Sequence, residues 1–139
     1  MDKATFSLKE YKFDKIFVDL ENQSSKEIKI DFKPAGIFRK SESSTFELTF
    51  TFIAFDKNPE KPFIRIRCVA LFKFESNIRF EEVPDYFYTN SIAILFPFVR
   101  AFVSTITLQA NILPPIMLPT WNLVSLAEPL KQNTTISNN

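Results

Sequence analysis

At 139 residues the chain has the length of one domain, and 17 basic against 16 acidic side chains leave no net field to draw nucleic acid or anionic lipid. It has no histidine, which removes Ser-His and Cys-His nucleophile pairs, HExxH zinc sites and the ordinary neutral-pH proton shuttle. A single glycine, Gly36, excludes glycine-rich phosphate loops, and a single cysteine, Cys68, excludes internal disulfides and thiolate metal clusters.

These absences point to a non-enzyme with no cofactor and no metal. A lone cysteine fits a reducing compartment, and the start MDKATFSLKEY has neither the basic residues nor the apolar run of a signal peptide, so the expected location is the cytoplasm. Pro84, Pro97 and Pro114 interrupt the hydrophobic third, which argues against membrane insertion. The chain carries 17 phenylalanines, more than a small core requires, and part of that surplus suits an exposed apolar surface.

The first half reads as four strands. Phe6 and Leu8 alternate in one phase, Tyr11 and Phe13 in the other, and Ile16, Val18 and Leu20 return to the first, the pattern of a long strand broken by a bulge or bend. After the Asn22 to Ser25 turn, Ile28, Ile30 and Phe32 alternate with charged residues until Pro34, where the ladder is expected to stop. Ala35 to Ser44 then reads as a loop. Phe46, Leu48, Phe50, Phe52 and Ala54 form the clearest strand. A hairpin loop from Asp56 to Pro62 joins it to Ile64, Ile66, Cys68, Ala70, Phe72 and Phe74.

Beyond Pro84 the period becomes helical, with Leu95, Phe98, Val99, Phe102, Val103 and Ile106 on one face. Because proline is tolerated in a first turn, Pro97 places the principal start near Phe96, with Asp85 to Leu95 as a separate short piece. Leu113 to Pro119, with three prolines, predicts an extended crossover, followed by a short helix from Asn122 to Leu126. Residues 1–130 read as a single domain and 131–139 as a disordered polar tail.

The even faces of the third and fourth strands should pack on the helix. Their odd faces carry Ile53, Phe55, Val69 and Leu71 where a solvated face should be polar, which suits either a dimer interface or a binding groove. Glu81, Glu82 and Asp85 form a dense acidic cluster, read as solvated carboxylates because no second reactive group accompanies them.

ILFPFVRAF (Ile94 to Phe102) and LPPIMLPTWNL (Leu113 to Leu123) resemble the SecB family of export chaperones, whose members read close to NILFPYAREXI and FPPLLLAPINFDALY. Ile94, Leu95, Phe96, Pro97 and Arg100 match the first pattern, with Phe98 for its aromatic. Pro114, Pro115, Leu118 and Asn122 match the second, with Ile116, Met117, Leu123 and Leu126 as conservative replacements.

The resemblance implies an α+β subunit: a four-stranded antiparallel sheet followed by a long helix and a proline-rich crossover, assembling as a homotetramer, a dimer of dimers. It implies an ATP-independent holdase that binds unfolded polypeptides in apolar grooves. On this chain the groove maps to Ile53, Phe55, Val69, Leu71, Met117 and Trp121, and the core and oligomer helix to Phe98, Phe102, Val103 and Ile106.

Two partnerships follow from the resemblance: a general export chaperone serving SecA, or a dedicated chaperone of one client such as the antitoxin of a toxin–antitoxin–chaperone system. Arg65 and Arg67, basic where SecA-serving members are acidic, a shortened C-terminal region without a clear second helix, and Val124 in place of the family's aspartate favour the dedicated role. A non-chaperone oligomeric scaffold on the same fold is the remaining alternative.

Overall fold

In the computed structural model, which describes residues 5–40, 43–118 and 123–137, the period-two segments become β1 (Phe6–Val18), β2 (Lys29–Lys40), β3 (Ser44–Phe55) and β4 (Ile64–Phe74). Helix α1 (Asp85–Gln109), a 3-10 turn at Leu123–Leu126, helix α2 (Ala127–Gln132) and strand β5 (Thr134–Ser137) follow. The strands form one sheet in the order β1-β4-β3-β2-β5, with β5 parallel to β2 and every other pairing antiparallel. The sheet is therefore mixed and five-stranded, not the four-stranded antiparallel one that the alternation suggests.

The phase slips in β1 are its bulges. Register shifts fall between Leu8 and Glu10 and between Phe13 and Lys15. Each inserts one extra residue, which returns the next apolar side chain to the face it would otherwise leave. Phe6, Leu8, Tyr11, Phe13, Ile16 and Val18 thus all oppose even positions of β4, from Phe74 to Ile64.

β2 corrects the expected stop at Pro34, because the strand runs on to Lys40 with Pro34 opposite Phe50. Proline lacks an N–H and is tolerated where one side of a strand has no neighbour. Here β5 joins the outer side of β2 only from Gly36 onward. The residues from Ala35 to Lys40, expected as loop, are therefore strand.

The helix also departs from expectation. α1 is continuous from Asp85, includes Pro97, and buries Phe87, Tyr88, Ser91, Ile92, Leu95, Phe96, Val99, Val103 and Thr107 at spacings of three and four. An internal proline costs about 3 kcal/mol. Burying each of Phe87, Ile92 and Leu95 contributes about 1.5–3 kcal/mol, so the turns before Pro97 stay docked and the helix does not break. Ala93 and Pro97 both lie on the exposed side, where the carbonyl left without its helical donor meets water.

By length and composition α1 could cross a membrane, with a mean hydropathy of 1.8 over its most apolar window. In this fold its inner face is instead packed on phenylalanines of the sheet: Phe87 lies 4.7 Å from both Phe6 and Phe46, and Phe96 lies 5.9 Å from Phe32, between ring centroids. Part of its outer face stays apolar, with Ile94, Phe98 and Leu108 exposed.

Of the segment expected as a disordered tail, residues 131–137 are ordered, as the end of α2 and as β5. Leu130 is fully buried, the Gly36 N–H donates to the Asn133 carbonyl at 3.1 Å, and the Thr134 hydroxyl donates to the Leu130 carbonyl at 2.6 Å. One apolar anchor and these hydrogen bonds hold a polar sequence that has no strong pattern of its own.

The β1–β2 connection must cross the end of the β3–β4 hairpin, and Asp56 fixes it there. Its carboxylate accepts from the Ser24 N–H, the Ser24 hydroxyl (3.0 Å) and the Ser25 N–H (2.9 Å). Hydrogen bonding from the Ser24 backbone, above all, holds the Asp56 pKa below its ordinary 3.8. A carboxyl that is more acidic in the folded state stabilises the fold above its unfolded pKa and loses that contribution as pH falls through the folded value. Thermal melts of Asp56→Asn should therefore start from a lower melting temperature near pH 7 and fall less steeply than wild type below about pH 4. Asp14, lowered chiefly by its hydrogen bond from Arg67, keeps its own acid sensitivity in both proteins.

Candidate apolar binding surface

The described residues that the sequence assigns to one groove lie on different layers of the single chain. Ile53 is only 1 % exposed and has no area to offer a ligand. Phe55, Val69 and Leu71 are half-buried on the sheet face away from α1. Val69 stands between Lys12 and Thr49, and Leu71 between Glu10 and Glu47, so they form an apolar island in a polar face.

Met117 lies on the helix layer instead, next to Ile116, whose N–H donates to the Thr107 hydroxyl at 3.0 Å. Trp121 falls outside the described residues. Of the four helix positions, Val103 is fully buried, Phe102 and Ile106 are half-buried, and Phe98 is exposed.

The surplus apolar surface gathers on the helix layer. Phe98 stacks on Tyr11 at 4.5 Å and Phe102 on Phe13 at 4.0 Å, which ties α1 to the edge strand β1. Along the outer face of α1, Ile94, Phe98, Ala101, Thr105 and Leu108 follow one another at spacings of four and three, all exposed and none charged. Such a stripe on a free helix face is the pattern of a helix that packs against another surface.

Local structure then presents the crossover. α1 ends in a Schellman motif, in which the Ile112 N–H donates to the Thr107 carbonyl and the Asn111 N–H to the Leu108 carbonyl, with Asn111 at φ 61°. From there burial alternates. Ile112, Ile116 and Leu118 are anchored in the core, while Leu113 and Met117 are 60 % and 70 % exposed. Leu113 also lines a cleft of about 380 Å³ with Leu20 and Asn111.

The chemistry of this surface is that of apolar contact. Burial pushes the Cys68 thiol up to about 12, so it is no nucleophile. Glu82 pairs with Arg79 and Asp85 with Lys131, and no group of metal-ligating side chains occurs among the described residues.

No family model matches the chain. It is 45 % identical over 58 residues to an uncharacterized protein, MJ0357, of Methanocaldococcus jannaschii, a match covering 40 % of this chain and 37 % of that protein's length. Among solved structures it is similar to the Mycobacterium tuberculosis Rv1957 SecB-like chaperone in complex with a ChAD peptide from the Rv1956 HigA1 antitoxin. That likeness has a TM-score of 0.65 at 18 % identity and covers 84 % of this chain and 90 % of that one.

The fold is SecB-like. This agrees with the α+β architecture implied by the resemblance of the two proline-containing segments, the first of which lies within α1.

Sequence reading misses Ile16, Val18, Leu20, Leu108 and Leu113 as exposed apolar residues. The first three look like strand core. Ile16 and Val18 are exposed because they lie at the end of the edge strand β1, and Leu20 lies in a 3-10 turn beyond that strand, facts of topology that no alternation encodes.

Proposed function

We propose that this chain is a cytoplasmic, ATP-independent holdase that binds aggregation-prone polypeptides on an apolar surface including Leu113 and Met117, and that it acts as an oligomer closed over the outer stripe of α1. The observation that carries the reading is the conjunction of the SecB-like fold with a crossover anchored by alternate residues, which leaves large apolar side chains in water. Each client side chain buried there contributes about 1.5–3 kcal/mol, and several such sites in one oligomer give avidity without sequence specificity. A homotetramer, the dimer of dimers implied by the family resemblance, would supply those sites and bury Ile94, Phe98 and Leu108.

Dedication to one client, such as an antitoxin, is supported over general export by the antitoxin peptide bound to the structural neighbour and by the basic Arg65 and Arg67. SecA is then not the principal partner.

The test is stoichiometric suppression of light scattering from a chemically denatured, uncharged-core substrate without nucleotide. Leu113→Ser combined with Met117→Ser should weaken client affinity about tenfold or more. It should change stability by no more than about 0.5 kcal/mol per exposed site. Undiminished scattering with wild-type protein would overturn the holdase reading, and a stable monomer in dilute solution would overturn its oligomeric part.

A further inference from the structure

The sheet face away from α1 carries a second, differently built surface. Across the β1–β4 pair Lys12 stands opposite Val69, Lys15 opposite Arg67, and Phe17 opposite Arg65. Like charges placed directly opposite one another destabilise a sheet. Asp14, extruded by the second bulge, relieves part of this by accepting from Arg67. Lys12, Lys15 and Arg65 are exposed and have no ion pair among the described residues. Arg65 stands between apolar neighbours, Phe17 on β1 and Ile53 on β3, so nothing beside it in register competes for its guanidinium.

Lys15, Phe17 and Arg65 also line a cleft of about 360 Å³ at the edge of β1, together with Ile16, Pro62 and the single acidic residue Glu60. Phe17 is 43 % exposed within it. Two cations and an open aromatic ring therefore share one concavity on a protein whose formal net charge is only +1.

We propose that this strip of β1 and β4 docks an acidic, extended peptide segment of another protein, with a carboxylate on Arg65 and an apolar side chain against Phe17. Arginine grips a carboxylate bidentately, which suits Arg65 to that role. Lys12 and Lys15 lie farther along the strand, where the following carboxylates of an extended chain would fall. Single-stranded nucleic acid fits less well. It calls for successive aromatic platforms, and Phe17 is the only aromatic on the described residues of this strip. The near-neutral chain also lacks the broad basic field that nucleic acid selects. Lys12, Lys15, Phe17 and Arg65 lie on the face of the sheet opposite to Leu113 and Met117 on the helix layer, so the two surfaces can be tested separately.

The test is fluorescence anisotropy with a labelled peptide of about 12 residues alternating glutamate and serine around one phenylalanine, long enough to lie along the strand. Wild-type protein should bind it saturably and more weakly as salt rises. Arg65→Glu should weaken binding about tenfold or more, and Arg65→Gln by less. The lysine-for-glutamate peptide should not bind.

Both variants are checked for wild-type melting, and Arg65→Gln carries the test if the charge reversal does not fold. Suppression of aggregation of an uncharged client should persist in both, which separates this site from the holdase surface. Absent saturable binding, binding unchanged in a folded Arg65 variant, or tighter binding of an oligothymidine than of the peptide would each overturn the proposal.

Discussion

Truncating Phe87 to alanine should destabilise the protein by about 3–5 kcal/mol. The ring is fully buried, and its centroid lies 4.7 Å from those of Phe6 and Phe46, 5.1 Å from Phe74, and 5.7 Å from Phe72 and Tyr88. These rings come from β1, β3, β4 and α1, so no one element can move in to fill the space. The lost burial and the residual cavity add together. Against a total of about 5–15 kcal/mol for a domain, the variant would sit at the edge of folding. Denaturant titration measures it, with an unchanged slope marking a true stability change. A loss under about 1 kcal/mol would mean that the helix–sheet core is not assembled around this ring.

Gly36→Ala should destabilise by about 1–3 kcal/mol through the opposite fault, overpacking. A Cβ at this position would stand 2.3 Å from Cζ of Phe46 and 2.9 Å from the Thr134 hydroxyl. Glycine is present here for space. The Phe46 ring is fully buried against Phe87 and cannot swing away at low cost. That contact links the two substitutions, since the cavity left by Phe87→Ala lies where a displaced Phe46 would go. The double variant should therefore be more stable than the sum of the singles predicts, by about 0.5 kcal/mol or more. Strict additivity in a double-mutant cycle would show that Phe46 does not transmit strain from Gly36 to the helix.

Where burial dominates, the sequence is a sufficient guide. β3 and β4 read at once from their even positions, and the slips in β1 read as bulges because bulges are what keep both parities on one face. Two proline readings fail for a shared reason. Pro34 lies on a strand whose outer side is still unpaired, and Pro97 lies in a helix held down by large buried residues on its N-terminal side, so tertiary context offsets the local penalty.

β5 is missed because Thr134–Ser137 has no hydrophobic period; a parallel partner distant in sequence makes it a strand. The candidate site is the least legible part. Odd positions identify the apolar residues of the outer face, but not that Ile53 is sealed, nor that Met117 occupies the other layer. Those depend on which element covers which, and a one-dimensional pattern does not contain that.

The parallel pairing of Thr134–Ser137 with Gly36–Arg39 also sets an order of events during synthesis. β2, β3 and β4 can zip together by local hairpins as soon as they leave the ribosome. The outer side of β2, in contrast, has no cover until roughly a hundred further residues have been made, and closing so long a loop is slow. Through that interval its free amides and carbonyls form a growing edge on which a neighbouring nascent chain can pair. A protein proposed to shield others from aggregation thus passes through a stage in which its own second strand is the exposed template, and translation of the last few described residues ends it.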